Sequence, residues 1–387
     1  KFDGDLVLQG GELKLATKDV SSAGIGSASR LVMAGGTLTT VGKNESSVGY
    51  NFPIIAQAGT TSTVDFDLWN TNKCTVSGTG TLIWNVHYLR EYIEGNWDNF
   101  TGQLIVNGTG KAGQSQFAVR NGVGVKNATL YLKGTAQVNG AKNQSTFYLG
   151  GLSGDAGTYL SGFDVKSANG SGTWVVGGAN TDETFRGVID NRAQGGQLGK
   201  TSIEKQGTGD WRLTGSNVYS GTTYVTAGTL IVNGTHSGTG AVTVRTGATL
   251  AGTGTLAAAT TINTGGMLQA GDTLVNGCGL TFNSTLKMNG TATLRVLANR
   301  EKSNTITLKG ATTISTTATL EVEMEDAPYD KTEYQVFNLS GGTITEMSYG
   351  VYNVGTFTIT AGTITVEEYG VMNSGTFTIT DGTVGSN

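Results

Sequence analysis

Between residues 84 and 98 the chain gathers Trp84, His87, Tyr88, Arg90, Glu91, Tyr92, Glu94, Trp97 and Asp98, in a sequence otherwise dominated by Gly, Thr, Ser and Asn. Flat aromatic faces stack on sugar rings, while carboxylates, guanidinium groups and amides take the hydroxyls, so this mixture has the makings of a glycan groove. The ligand-binding residues expected on this reading are Trp84, Tyr88, Arg90, Glu91, Tyr92, Trp97 and Asp98. The competing reading is structural, with the aromatics turned inward and the charges of His87–Glu94 solvated on a bulge or a projecting loop.

Other groups have the ingredients of catalysis without its context. Asp182, Glu183, Arg186, Asp190 and Arg192 set carboxylates beside guanidinium groups. A pectate-lyase-type site would hold Ca²⁺ between such carboxylates and an acid sugar, with Arg or Lys as base. They fall, however, in TDETFRGVIDN, which reads as a polar turn. Glu321, Glu323 and Glu325 alternate with Val322 and Met324 and so share one strand face. Neighbours at i and i+2 lie about 7 Å apart, a separation that suits a glycosidase pair, but the sequence around them offers no cleft to make two carboxylates unequal. His87 and His236 show no HxH or HExxH spacing, which argues against a histidine-based zinc site. There is no GxSxG elbow and no GxxxxGK[ST] loop opening a helix. The sequence thus assigns no catalytic residue, no metal ligand and no cofactor; calcium enters only if the chain is a lyase.

The elements that carry these side chains are short strands. From Lys205 to Asp272 the apolar alternations TLIV, AVTV, ATL, GTL and TTI recur, each separated by Gly with Thr, Ser or Asn. Alternation builds half-buried strands, and glycine supplies the turns between them. Many short strands without helix-forming segments must coil, sandwich or close to hide their edges, and repetition at this pitch favours coiling. The expected fold is all-β, a single right-handed parallel β-helix; at about 20–25 residues per coil its 387 residues make about 16–19 coils.

Composition agrees. The chain has 61 Gly but only 2 Pro, and 14% of it is charged, against about 25% in an ordinary globular domain. That is the surface of an extracellular β-protein. A net charge of −4, spread along the chain, points away from nucleic acid and from a polybasic membrane contact. No apolar run reaches the roughly 18 residues of a membrane helix. The start KFDGDLVLQGG is no signal peptide and reads as a strand entered partway, as expected for a mature product or a piece of a larger protein. Cys74 and Cys278, some eight to ten coils apart, would be separated by roughly 40 Å, too far for a disulfide, and read as buried small apolar residues.

Three stretches of one continuous solenoid are expected: irregular coils with the aromatic cluster over 1–110, regular repeat coils over 111–345, and a tail over 346–387. In the tail GVYNVGTFTITAGTIT from Gly350 repeats as GVMNSGTFTITDGTV from Gly370, so Phe357 falls on Phe377 and Ile359 on Ile379. In a solenoid such a twenty-residue shift is one coil, and Thr356 and Thr358 fall over Thr376 and Thr378.

The blocks WVVGGANTDETFRGVIDN (Trp174–Asn191), SIEKQGTGDWRLTGSNVYSGTTYVTAGTLIVNG (Ser202–Gly234) and GAVTVRTGATLAGTGTL (Gly240–Leu256) resemble the autotransporter-associated, or passenger-associated, β-strand repeat. YQVFNLSGGTIT (Tyr334–Thr345) is similar to the segment that often closes such arrays, and EGNWDNFTGQLIVNG (Glu94–Gly108) to a motif of surface proteins of gut Bacteroidetes. The resemblance implies a secreted or outer-surface right-handed β-helix, with no catalytic residues of the family's own. The chain departs from the family after Thr345, where the GVYN/GVMN repeats take over.

The function expected is that of an extracellular or bacterial cell-surface protein that binds carbohydrate or acts in adhesion or structure, without catalysis, its partner a polysaccharide or glycan surface. A polysaccharide lyase or glycoside hydrolase on one face is the rival class, and release of reducing ends or of unsaturated uronate would identify it. A passive spacer within a larger secreted protein is the third.

Overall fold

A computed structural model describes residues 4–16, 30–41, 49–66, 71–87, 91–110, 115–120, 124–141, 145–162, 170–191, 199–273, 275, 277–298, 304–315, 317–324, 337–353, 356–373, 376–379 and 382–386. Its regular structure is all strand, stacked in parallel as a β-solenoid, as the alternation predicts. The chain divides into two compact units, Lys1–Trp211 with Val218–Ser220, and Arg212–Asn217 with Gly221–Asn387.

The first unit is built of three parallel sheets. One begins at Glu12–Ala16 and passes through Thr37–Val41, Thr61–Phe66, Thr81–Val86, Gln103–Gly108, Val125–Gly134, Ser145–Gly154 and Ser171–Val176 to Lys200–Lys205. A second joins Leu6–Leu8, Leu31–Met33, Ile54–Ala56, Val76–Gly78 and Asn99–Phe100. The third runs from Gly49–Tyr50 to Val188–Asp190. Each strand pairs with its counterpart one coil on. Leu82 lies beside Leu104, 22 residues later, and Trp174 beside Ile203, 29 residues later, so coil length varies while register holds.

That register piles like on like. Leu38, Val64, Trp84, Val106 and Leu132 form one inward column of the first sheet, all fully buried. Neighbouring coils thereby cover one another's apolar area and strand edges, and stability accumulates between neighbours. Corners need close backbone approach. At Gly78 the chain has φ +99° and a Cβ would collide with the carbonyl oxygen of Ala56, so glycine is required there. In the third sheet every residue of Ser115–Val119 and Ala136–Gly140 is buried, so both faces of those strands are covered.

The second unit repeats the plan with shorter coils at first. Val225 pairs with Val244, Val244 with Ile262, and Ile262 with Met288, steps of 19, 18 and 26 residues. A second ladder runs through Gly228–Val232, and a third begins at Thr235–His236. In the third, His236, Leu256, Phe282 and Leu308 are buried while their neighbours Thr235, Thr255, Thr281 and Thr307 line up outside. In the tail Phe337 pairs with Phe357 and Phe357 with Phe377, and the Thr pairs 356/376 and 358/378 fall in register, which is the twenty-residue repeat read from the sequence.

Candidate functional site

The outward face of the first sheet in the first unit carries a shallow concavity of about 390 Å³, lined by Ile83, Gln103, Ile105, Asn107, Tyr131 and Lys133. Register explains the set. Ile83, Ile105 and Tyr131 occupy one outward column, flanked by Thr81, Gln103 and Thr129 on one side and by Asn85, Asn107 and Lys133 on the other. The apolar column is the floor and the amide column a wall.

The wall is a hydrogen-bonded relay. Asn107 Nδ2 donates to Asn85 Oδ1 at 2.8 Å, and Asn85 Nδ2 to Asp65 Oδ2 at 2.8 Å. The other Asp65 oxygen meets His87 Nε2 at 2.5 Å, while His87 Nδ1 meets Thr109 Oγ1 at 2.5 Å. Each amide is thus fixed by the rung before it, and Asn107 ends the chain beside Lys133. At the far rung the Tyr131 hydroxyl donates to Asp155 Oδ1 at 2.6 Å, which sets the ring. The Asn85 and Asn107 amides and the Tyr131 ring are therefore preorganised.

The residues singled out by composition sit elsewhere. Trp84 and Trp97 are 0% and 1% exposed, and their rings lie 5.4 Å apart, each within about 6 Å of Phe117. Trp97 Nε1 donates to the Cys74 carbonyl oxygen at 3.1 Å. Their faces are occupied by other rings of the core. Glu91, 2% exposed, accepts Trp84 Nε1 at 2.5 Å on Oε2, and burial pushes its carboxyl up to about 8. Tyr92 lies under the guanidinium of Arg120, 3.5 Å from its ring centre, and Arg120 pairs with Glu94 at 2.7 Å. Asp98 is at the surface, paired with Lys126 at 2.9 Å. Tyr88 and Arg90 lie outside the described residues. The inward members meet one another, but as packing around a neutral acid.

The other polar sets serve backbone turns. Asp182 Oδ1 accepts the Asp210 amide at 2.8 Å, and Glu183 accepts the hydroxyls of Ser153 and Thr181. Asn180, at φ 60°, takes the Thr208 amide at 2.9 Å; Asp190 is buried and Arg192 lies outside the described residues. Glu321 and Glu323 lie on Thr319–Met324, in register with Arg295 and Leu297; Glu325 lies outside the described residues. His236 is buried, and burial depresses its imidazole to about 4. Cys74 and Cys278 are free thiols; Cys74 is buried as expected, whereas Cys278 is only partly covered. Among the described residues no group of three or more His, Cys, Asp or Glu is placed to hold a metal ion, and no helix is long and apolar enough to cross a membrane.

The concavity escaped a reading by composition because none of its residues is unusual. Its signal is parity. In TLIW and QLIV, Ile83 and Ile105 are apolar at outward positions, between the inward Leu82 and Trp84 and the inward Leu104 and Val106.

Residues 203–232 match the model of the passenger-associated-transport-repeat, within the block whose alternation is cleanest. No curated protein matches the chain. The chain is thus a parallel β-solenoid that carries, over residues 203–232, a passenger-associated-transport-repeat.

Proposed function

We propose that this protein is a surface-displayed, non-catalytic solenoid that adheres to polysaccharide along the outer face of its first unit. One observation carries the reading: a preorganised wall of amides beside an apolar floor, open to solvent, on a sheet whose rungs repeat. Sugar rings present an apolar face and a fringe of hydroxyls, and such a surface meets both. The passenger-type repeat supports a secreted or surface-exposed setting.

Binding to a panel of soluble and insoluble polysaccharides, with reducing ends counted before and after, tests this. Retention on at least one polymer with no new reducing ends is expected. Silence across plant, host and microbial glycans would remove the adhesive reading, and release of sugar would replace it with a catalytic one.

A further inference from the structure

The geometry points to the concavity over Ile83, Ile105 and Tyr131 as a subsite for an acidic, uronate-bearing polysaccharide laid along the column, with the Lys133 ammonium taking a sugar carboxylate. This rests on the adhesive reading above and assigns it a place and a ligand class.

The class follows from which charges are already spoken for. Both Asp65 oxygens are engaged, by His87 and by Asn85, and Asp155 holds the Tyr131 hydroxyl. Lys133 is exposed, lines the concavity, and has no carboxylate partner among the described residues. Asp65 and Asp155 keep their charge, but their oxygens are turned to His87, Asn85 and Tyr131, so the charged group that lines the concavity itself is the Lys133 ammonium, which pairs with an anion bearing lone pairs. Beside it Asn107 Oδ1 has no donor among the described residues, and its opposite amide atom is tied to Asn85, so it accepts a hydroxyl in a fixed direction. The orientation of the chain follows from the rungs. Successive strands lie about 4.8 Å apart, close to the length of one pyranose unit. A polymer running along the column thus sets consecutive rings over Ile83, Ile105 and Tyr131, in reach of Asn85, Asn107 and Lys133.

Calorimetric titration of the whole chain with polygalacturonate and with neutral galactan tests this. All substitutions fall on outward side chains, and unfolding midpoints check that each variant is folded. The wild type should bind polygalacturonate more tightly than galactan. Lys133→Gln should weaken polygalacturonate binding about tenfold, as loss of a charge-assisted contact does, and leave galactan unchanged. Tyr131→Ala should weaken both. Lys126→Gln removes the same charge from the Asp98 pair elsewhere in this unit and should leave binding within about twofold of wild type, since an exposed pair contributes little. Equal weakening by Lys126→Gln and Lys133→Gln, or none by Lys133→Gln and Tyr131→Ala, overturns the subsite but leaves adhesion standing. Equal binding to both polymers, or to other glycans alone, overturns the acidic class. No binding to any polysaccharide of the panel removes both proposals.

Discussion

Glu91 makes the stability of the first unit depend on pH in a direction opposite to that of most carboxylates. Its side chain is 2% exposed, and Oε2 takes the Trp84 indole. Burial raises its carboxyl from 4.5 to about 8, against the pull of the Trp84 and Asn72 hydrogen bonds. Below pH 4.5 folded and unfolded chains both hold the proton, and this group costs nothing. Between pH 4.5 and about 8 the folded state keeps a proton that the unfolded chain releases, so stability falls as pH rises, and above about 8 the loss is complete. At about 1.4 kcal/mol per unit the full window is worth at most roughly 5 kcal/mol. Glu91→Gln keeps an acceptor for Trp84 Nε1 and removes the ionisation. The variant should match wild type near pH 4.5 and exceed it by several kcal/mol at pH 8. The assay is guanidinium unfolding followed by tryptophan fluorescence from pH 4.5 to 8, since all five tryptophans lie within Lys1–Trp211. Parallel pH profiles for the two proteins would refute the burial of a neutral Glu91.

Two further outcomes follow from the backbone corners. Gly78→Ala adds a collision with the Ala56 carbonyl to the strain of φ +99°, whereas Gly59, at φ +73°, has open space around its missing Cβ. Alanine at 59 should cost about 1 kcal/mol and at 78 distinctly more, roughly 3 kcal/mol, read from the same fluorescence midpoints; equal costs would show that the close approach is absent. Lys205, 1% exposed, donates to the carbonyl oxygens of Gln206 and Gly207 at 2.9 and 3.0 Å, and burial lowers its ammonium from 10.5 to about 8. The folded state therefore sheds its proton first, and wild-type stability should rise between pH 8 and 10.5. Lys205→Met should abolish that rise; a rise preserved in the variant would place the titration elsewhere.

The fold was legible because the interior of a solenoid is written with period two and its turns with glycine. Leu82, Trp84 and Val86 alternate inward just as Leu104 and Val106 do, and the tail's twenty-residue shift is its pairing register. The same parity places Trp84 inside, where a reading by residue type alone turned it toward a ligand. Register between coils was harder to read. Steps of 18 to 31 residues join successive rungs, so the meeting of Ile83, Ile105 and Tyr131 depends on loop lengths that alternation does not encode. Polar residues misled for a related reason: Asp182 and Glu183 suggest chemistry by type, yet their oxygens are spent on an amide and a hydroxyl of adjacent coils.

In the tail Phe337, Phe357 and Phe377 hold one position on successive rungs. A ladder of interchangeable steps can be lengthened by copying a step, because the newcomer finds above and below it the neighbours it was shaped for. Reach then becomes a heritable quantity, adjustable one twenty-residue unit at a time, with no new partner to invent and no old contact to surrender.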